Sequence, residues 1–122
     1  MVKDNPVKDK SFQFALEIIS LYKYLTTQKN EYVLSKQLLR SGTSIGANIE
    51  EALSSQSKKE FIEKLNISLK EARETSYWLR LLNASGYIQK NDLIEKSEEL
   101  SKILTSIIIS TKENIKKHNS KF

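Results

Sequence analysis

The chain has 122 residues, 39% apolar and 29% charged, and a formal net charge of +5, which fits one soluble helical domain with enough chain for a core. It holds no cysteine, which excludes disulfides, thiolate nucleophiles and cysteine-bound metals together. No apolar run nears the ~20 residues that span a bilayer, so a cytoplasmic protein without a membrane partner is expected.

Asn5-Pro6 reads as a helix start, with the asparagine as N-cap and the proline in the first turn, where its missing N–H is harmless. The pattern predicts a helix over 6–28 with two apolar faces, one of Phe12, Leu16 and Ile19 and one of Phe14, Ile18, Leu21 and Leu25. A polar connection follows, in which Asn30 is the expected cap of a second helix over 31–55.

That second helix carries Gly42 and Gly46 beside its apolar stripe of Leu34, Leu38, Ile45, Ile49 and Ala52. A glycine inside a helix costs about 0.5–1 kcal/mol relative to alanine, so the pair predicts close packing of a neighbouring helix. A polar row of Arg40, Ser44, Asn48 and Glu51 runs along the other side. Arg40 and Glu51 lie about three turns apart, so each needs a partner on another helix, another copy or a ligand. Structural partners are the preferred reading, with Asn48 expected on a backbone group of a neighbouring helix end.

Ser57 and Glu60 form a capping box opening a helix over 58–85, and Gly86 sits where a left-handed residue ends it. Its inward stripe is Phe61, Leu65, Leu69, Ala72, Leu79 and Leu82, while Ile67, Trp78 and Leu81 fall in another sector with Glu71 and Glu74. Asp92 with Glu95 is the expected box of a fourth helix over 92–117, followed by a frayed basic tail over 118–122. Short connections force antiparallel neighbours, so the fold class is all-α, an up-down-up-down four-helix bundle forming a single domain over 1–122.

Helices with two apolar sides are buried on two sides. Phe14, Ile18, Leu21 and Leu25 with Ile67, Glu74, Trp78 and Leu81 are therefore assigned to contacts between copies. The rival explanation is that helix one is central and Trp78 caps one end of the core. Catalytic chemistry finds no support: the single histidine, His118, lies in the tail, and no H-E-x-x-H, phosphate-loop or dinucleotide fingerprint occurs. No cofactor and no metal are expected.

The run from Tyr32 through Leu34-Ser35-Lys36-Gln37-Leu38-Leu39-Arg40-Ser41-Gly42-Thr43-Ser44-Ile45-Gly46-Ala47-Asn48-Ile49-Glu50-Glu51, with Gln56 to Ile62 and Ala72 to Leu79, resembles the bacterial four helix bundle protein family. That family was first noticed as reading frames inside intervening sequences of large-subunit ribosomal RNA genes. The resemblance implies an antiparallel bundle assembling as a ring-like homopentamer. It also points to a basic pentameric relative that binds nucleic acid, the accessory variability protein of diversity-generating retroelements. Where many members carry glycine-rich residues after the asparagine motif, this chain has Ala52-Leu53-Ser54-Ser55.

The basic candidates for nucleic acid are Lys36, Arg40, Lys58, Lys59, Lys64, Arg73, Arg80, Lys116 and Lys117. Their expected contact is with phosphates, dependent on salt and poor in sequence specificity. The first reading is a non-enzymatic homo-oligomer that binds structured RNA or DNA. The alternative is an oligomeric protein–protein adaptor or scaffold with no nucleic-acid role.

Overall fold

The structure is a computed structural model that describes residues 5–120. Four helices, α1 (Pro6–Gln28), α2 (Leu34–Leu53), α3 (Lys58–Ala84) and α4 (Asn91–Ser120), pack as a bundle with no strand among the described residues. Sequential helices are neighbours and α4 closes weakly on α1, while α1 and α3 sit on one diagonal of the square and do not approach. Residues 1–4 and 121–122 lie outside the described residues, and α4 runs to Ser120, past the stop expected at 117.

Local chemistry accounts for the helix ends. The Asn5 side chain accepts from the Lys8 amide at 3.1 Å, and Pro6 takes the first helical position. Ser57 Oγ accepts from the Glu60 amide at 3.1 Å, but the Glu60 carboxylate reaches the amide of Gln56, one residue before the cap. At the end of α3, Gly86 has φ +85°, the Gly86 amide donates to the Asn83 carbonyl and the Tyr87 amide to that of Leu82. That is the paired bonding of a Schellman cap, and it requires a residue free to be left-handed.

The start of α2 differs from the expectation. Asn30 is not its cap: it takes the left-handed conformation (φ +52°) that turns the chain out of α1. Glu31 does the capping, its carboxylate accepting from the amides of Val33 at 3.0 Å, Leu34 at 3.1 Å and Ser35 at 2.6 Å. The residue is buried. Burial pushes its carboxyl up, but the Ser35, Leu34 and Val33 amides and the Ser35 hydroxyl outweigh that and hold it below the usual carboxylate range. At the start of α4 the expected Asp92 box is absent. Asn83 ties that turn to α3 instead, accepting from the Lys90 amide and donating to Asn91 Oδ1, both at 3.0 Å.

The core settles which face of α1 looks inward. Phe14, Ile18, Leu21 and Leu25 are buried at 0–4% exposure with Leu38, Ile45, Ile49, Leu65, Leu79, Leu82 and Leu104. Burial of each such side chain contributes about 1.5–3 kcal/mol. Assigning these four residues to contacts between copies is therefore corrected: they are the core of one copy. Phe12 and Leu16 are the outward residues, 55% and 46% exposed.

Helix α1 lies directly over the two glycines. A Cβ on Gly42 would stand 2.8 and 2.9 Å from Ile18 Cγ2 and Cγ1, and one on Gly46 3.1 Å from Ser11 Oγ. On the other flank of α2, Ser68 Oγ donates to the Ile45 carbonyl at 2.8 Å, and Thr75 Oγ1 lies 2.9 Å from Ser41 Oγ. Small residues thus line both sides of α2.

Gly42→Ala should destabilise the protein by about 1–3 kcal/mol, because a β-branched, fully buried Ile18 cannot swing away. Gly46→Ala should cost much less, since the Ser11 hydroxyl can turn and alanine gains about 0.5–1 kcal/mol of helix propensity. Urea unfolding of both variants checks the order. Equal losses would contradict the Ile18 clash.

Glu31→Ala should cost about 1–2 kcal/mol near neutral pH, the usual loss on removing a cap. A carboxylate held low when folded stabilises above its unfolded pKa, and the benefit is lost as pH falls through the folded value. The stability gap between wild type and variant should therefore narrow as unfolding is measured from neutral to about pH 3. A constant gap would count against the charged cap.

Candidate functional site

The polar row of α2 becomes part of the seam with α3. The Arg40 guanidinium bonds Glu71 Oε2 at 3.1 Å through Nη1 and Glu74 Oε1 through Nη2, and Trp78 Nε1 donates to Glu74 Oε1 at 3.3 Å. The hydrogen bond from Arg40, with that from Trp78, holds the Glu74 carboxyl below its usual range despite partial burial. Arg40 is raised in turn, first by its bond to Glu74. Glu51 finds Lys64 at 3.0 Å. Two turns carry Ser44 and Asn48, which bond their own helix: Ser44 Oγ donates to the Arg40 carbonyl at 2.6 Å and Asn48 Nδ2 to that of Ser44 at 2.8 Å. The neighbouring helix end expected as the partner of Asn48 is not used, because a carbonyl one turn back is closer.

Arg40 and Lys64 are therefore engaged by carboxylates across the α2/α3 seam. Lys36, Lys58, Lys59, Arg73, Arg80 and Lys116 are exposed and form no ion pair among the described residues. They are not one patch. Lys36 stands in the first turn of α2, Lys58 and Lys59 open α3, and Lys116 and Lys117 lie in the last turns of α4.

Trp78 and Leu81 are half-buried, with Trp78 packed on the core, so only Ile67 of the α3 residues assigned to an interface is an exposed apolar side chain, at 43%. Glu74 is committed to Arg40. Trp78 thus lies on the flank of the α2/α3 seam, where its indole bonds Glu74, and part of its surface and of Leu81 stays open.

The α1/α4 seam is also stapled by charge. Lys10 pairs with Glu99 and Lys96 with Glu17 across a groove whose lining includes Phe14 and Leu100. The α3/α4 seam carries no ion pair among the described residues, and its outer side is basic. Lys70, Arg73, Tyr77 and Arg80 are all exposed at spacings of three, four and three along α3, which places them on one stripe. Arg80 Cζ lies 5.8 Å from the Tyr77 ring centroid, and the Tyr77 and Trp78 rings meet edge to face at 5.3 Å. Arg73 and Lys102 line one groove with Ser101, Thr105 and Ser106, which Glu113 bounds on α4. Lys70, Tyr77 and Lys102 were not among the candidates drawn from sequence. The spacing on α3 carried a signal for the first two, whereas Lys102 joins them only through the register of α4.

Among the described residues no three His, Cys, Asp or Glu side chains are grouped to hold a metal ion. Among the described residues no helix is long and apolar enough to cross a membrane.

The fold has a counterpart among solved structures. No functionally curated protein matches the chain. A solved structure described as a protein with unknown function from the S23 ribosomal protein family of Bacteroides thetaiotaomicron VPI-5482 is 55% identical. It superposes with a TM-score of 0.82, covering 84% of this chain and 97% of that one. The family model of the 23S rRNA-intervening sequence protein matches residues 3–107, which take in α1, α2, α3 and the first half of α4. The chain thus belongs to the 23S rRNA-intervening sequence protein family.

Proposed function

We propose that the protein is a non-enzymatic subunit of a homo-oligomer, a ring of five copies as the family resemblance implies, that binds RNA or DNA through basic surface. The observation that carries this reading is the unequal use of the bundle's outer sides. Phe12 and Leu16 lie exposed on α1, with Ile19 half-buried beside them, opposite the face that packs the core. Burying such a stripe against a second copy removes apolar area from water without disturbing the core. Cations that are not consumed in the seams remain on the surface, and the net charge of +5 favours a polyanion.

The non-enzymatic part rests on what the carboxylates do. Glu71 and Glu74 hold Arg40, Glu51 holds Lys64, and Glu31 caps α2. Each of these has a structural task, and none is paired with a base or nucleophile inside a cavity.

Sedimentation should give a multiple of the 14.1 kDa chain for the wild type, and Phe12→Glu with Leu16→Glu should give the single chain at unchanged helicity. A wild type that remains one chain at high concentration would overturn the assembly. Binding of labelled RNA and duplex DNA should fall steeply between about 50 and 200 mM salt. Assembly with no binding at the low end would leave the adaptor reading in its place.

A further inference from the structure

Each of the four seams between adjacent helices has an outer side, and they differ in charge chemistry. On the α1/α4 and α2/α3 seams the cations Lys10, Lys96, Arg40 and Lys64 each face a carboxylate of the opposite helix. On the α3/α4 side Lys70, Arg73 and Arg80 of α3 and Lys102 of α4 are exposed without an ion-pair partner among the described residues. Lys70 acts on the nearby Glu74 and Glu113 lines the groove of Arg73 and Lys102, but no ion pair among the described residues satisfies the row. A chain of phosphates would.

Two further features narrow the partner. Tyr77 is 48% exposed in the middle of the row, its ring in contact with the Arg80 guanidinium and edge to face with Trp78. An exposed ring among cations is a platform on which an unpaired base can stack, as on single-strand binding surfaces. A duplex keeps its bases inside and would leave that ring unused. The groove that Arg73 and Lys102 line holds, beside Ile109 and Glu113, four hydroxyl groups, of which those of Ser106 and Ser110 are exposed. Hydroxyls both donate and accept, which matches the ribose 2′-hydroxyl that distinguishes RNA from DNA.

We propose that the outer face of the α3/α4 seam is a binding surface for an unpaired RNA strand. Arg73 and Lys102 contact successive phosphates beside the hydroxyl-lined groove, Lys70 and Arg80 extend the row, and Tyr77 stacks on a base. This rests on the nucleic-acid reading above and makes it specific as to place and strand. Glu98 and Glu113 on the neighbouring turns of α4 bound the basic strip.

The test is fluorescence anisotropy of a labelled oligouridine RNA against wild type and variants, across salt, with circular dichroism to verify folding. Arg73→Glu with Lys102→Glu should weaken binding by at least about tenfold and lower the salt slope by about 1.4, the loss of two single-strand phosphate contacts. Lys36→Glu with Lys58→Glu changes the net charge equally but elsewhere, and should weaken binding by less than about threefold. Tyr77→Ala should cost about fivefold or more, without changing the salt slope.

If wild type binds the RNA and the two double reversals are equally harmful, or both harmless, the α3/α4 assignment is overturned while the general nucleic-acid reading stands. Binding of oligodeoxythymidine or of a duplex as tightly as the RNA would overturn the assignment to an unpaired RNA strand. A wild type that binds none of the three at low salt removes this proposal and the nucleic-acid reading together.

Discussion

The close approach of α1 to α2 over Gly42 and Gly46 governs how the bundle can be arranged. With Ile18 seated against the bare backbone at Gly42 and Ser11 at Gly46, α1 has no freedom to rotate about its own axis. That rotation decides which of its two apolar faces enters the core. Seating Ile18 inward brings Phe14, Leu21 and Leu25 with it, at helical spacing, and turns Phe12 and Leu16 to the outside. A tight contact on one side of α2 therefore sets the character of a surface on the far side of α1. The other flank of α2 is held by a different chemistry, in which buried Ser68, Thr75 and Ser41 bond across the seam. Hydroxyls here allow close packing and also satisfy the polar atoms that such closeness buries.

The outer sides then divide by charge. Solvent screens exposed ion pairs, so the stapled seams owe little of their stability to them. Their larger effect is on what the surface offers. A guanidinium bonded to two carboxylates, as Arg40 is, presents little net charge to a passing phosphate. Pairing on two seams thus leaves the unpaired cations elsewhere, and Lys70, Arg73, Arg80 and Lys102 are among those that α3 and α4 display.

Much of this was legible in the residues, and the exceptions have physical reasons. Caps built from one short side chain and its own next turn, such as Asn5, Ser57 and the Gly86 turn, are local and read directly. Glu31 caps α2 with a longer carboxylate that bridges three amides, a geometry that no residue-type preference singles out. Asn83 ties two helices together through a loop, so its role appears only once the loop has folded. The two faces of α1 are equally apolar in sequence, and only the packing over the glycines distinguishes them. The basic candidates were likewise identical in kind until the register of the helices showed that Arg40 and Lys64 pair with carboxylates opposite, whereas Arg73 and Arg80 form no ion pair among the described residues.

The diagonal relation of α1 to α3 connects the two surfaces. Because these helices face each other across the bundle without touching, the outward side of α1 points away from the outward side of α3. Copies joined through Phe12 and Leu16 would leave the row of Lys70, Arg73, Tyr77 and Arg80 uncovered on every subunit. In such an assembly repetition would matter more than the strength of any single site, since a strand held at one subunit would meet the next at high effective concentration. A monomer with the same face would bind weakly, because a few exposed cations lose much of their attraction to salt. The glycine contact that turns Phe12 outward is therefore the step on which the proposed multivalent surface would depend.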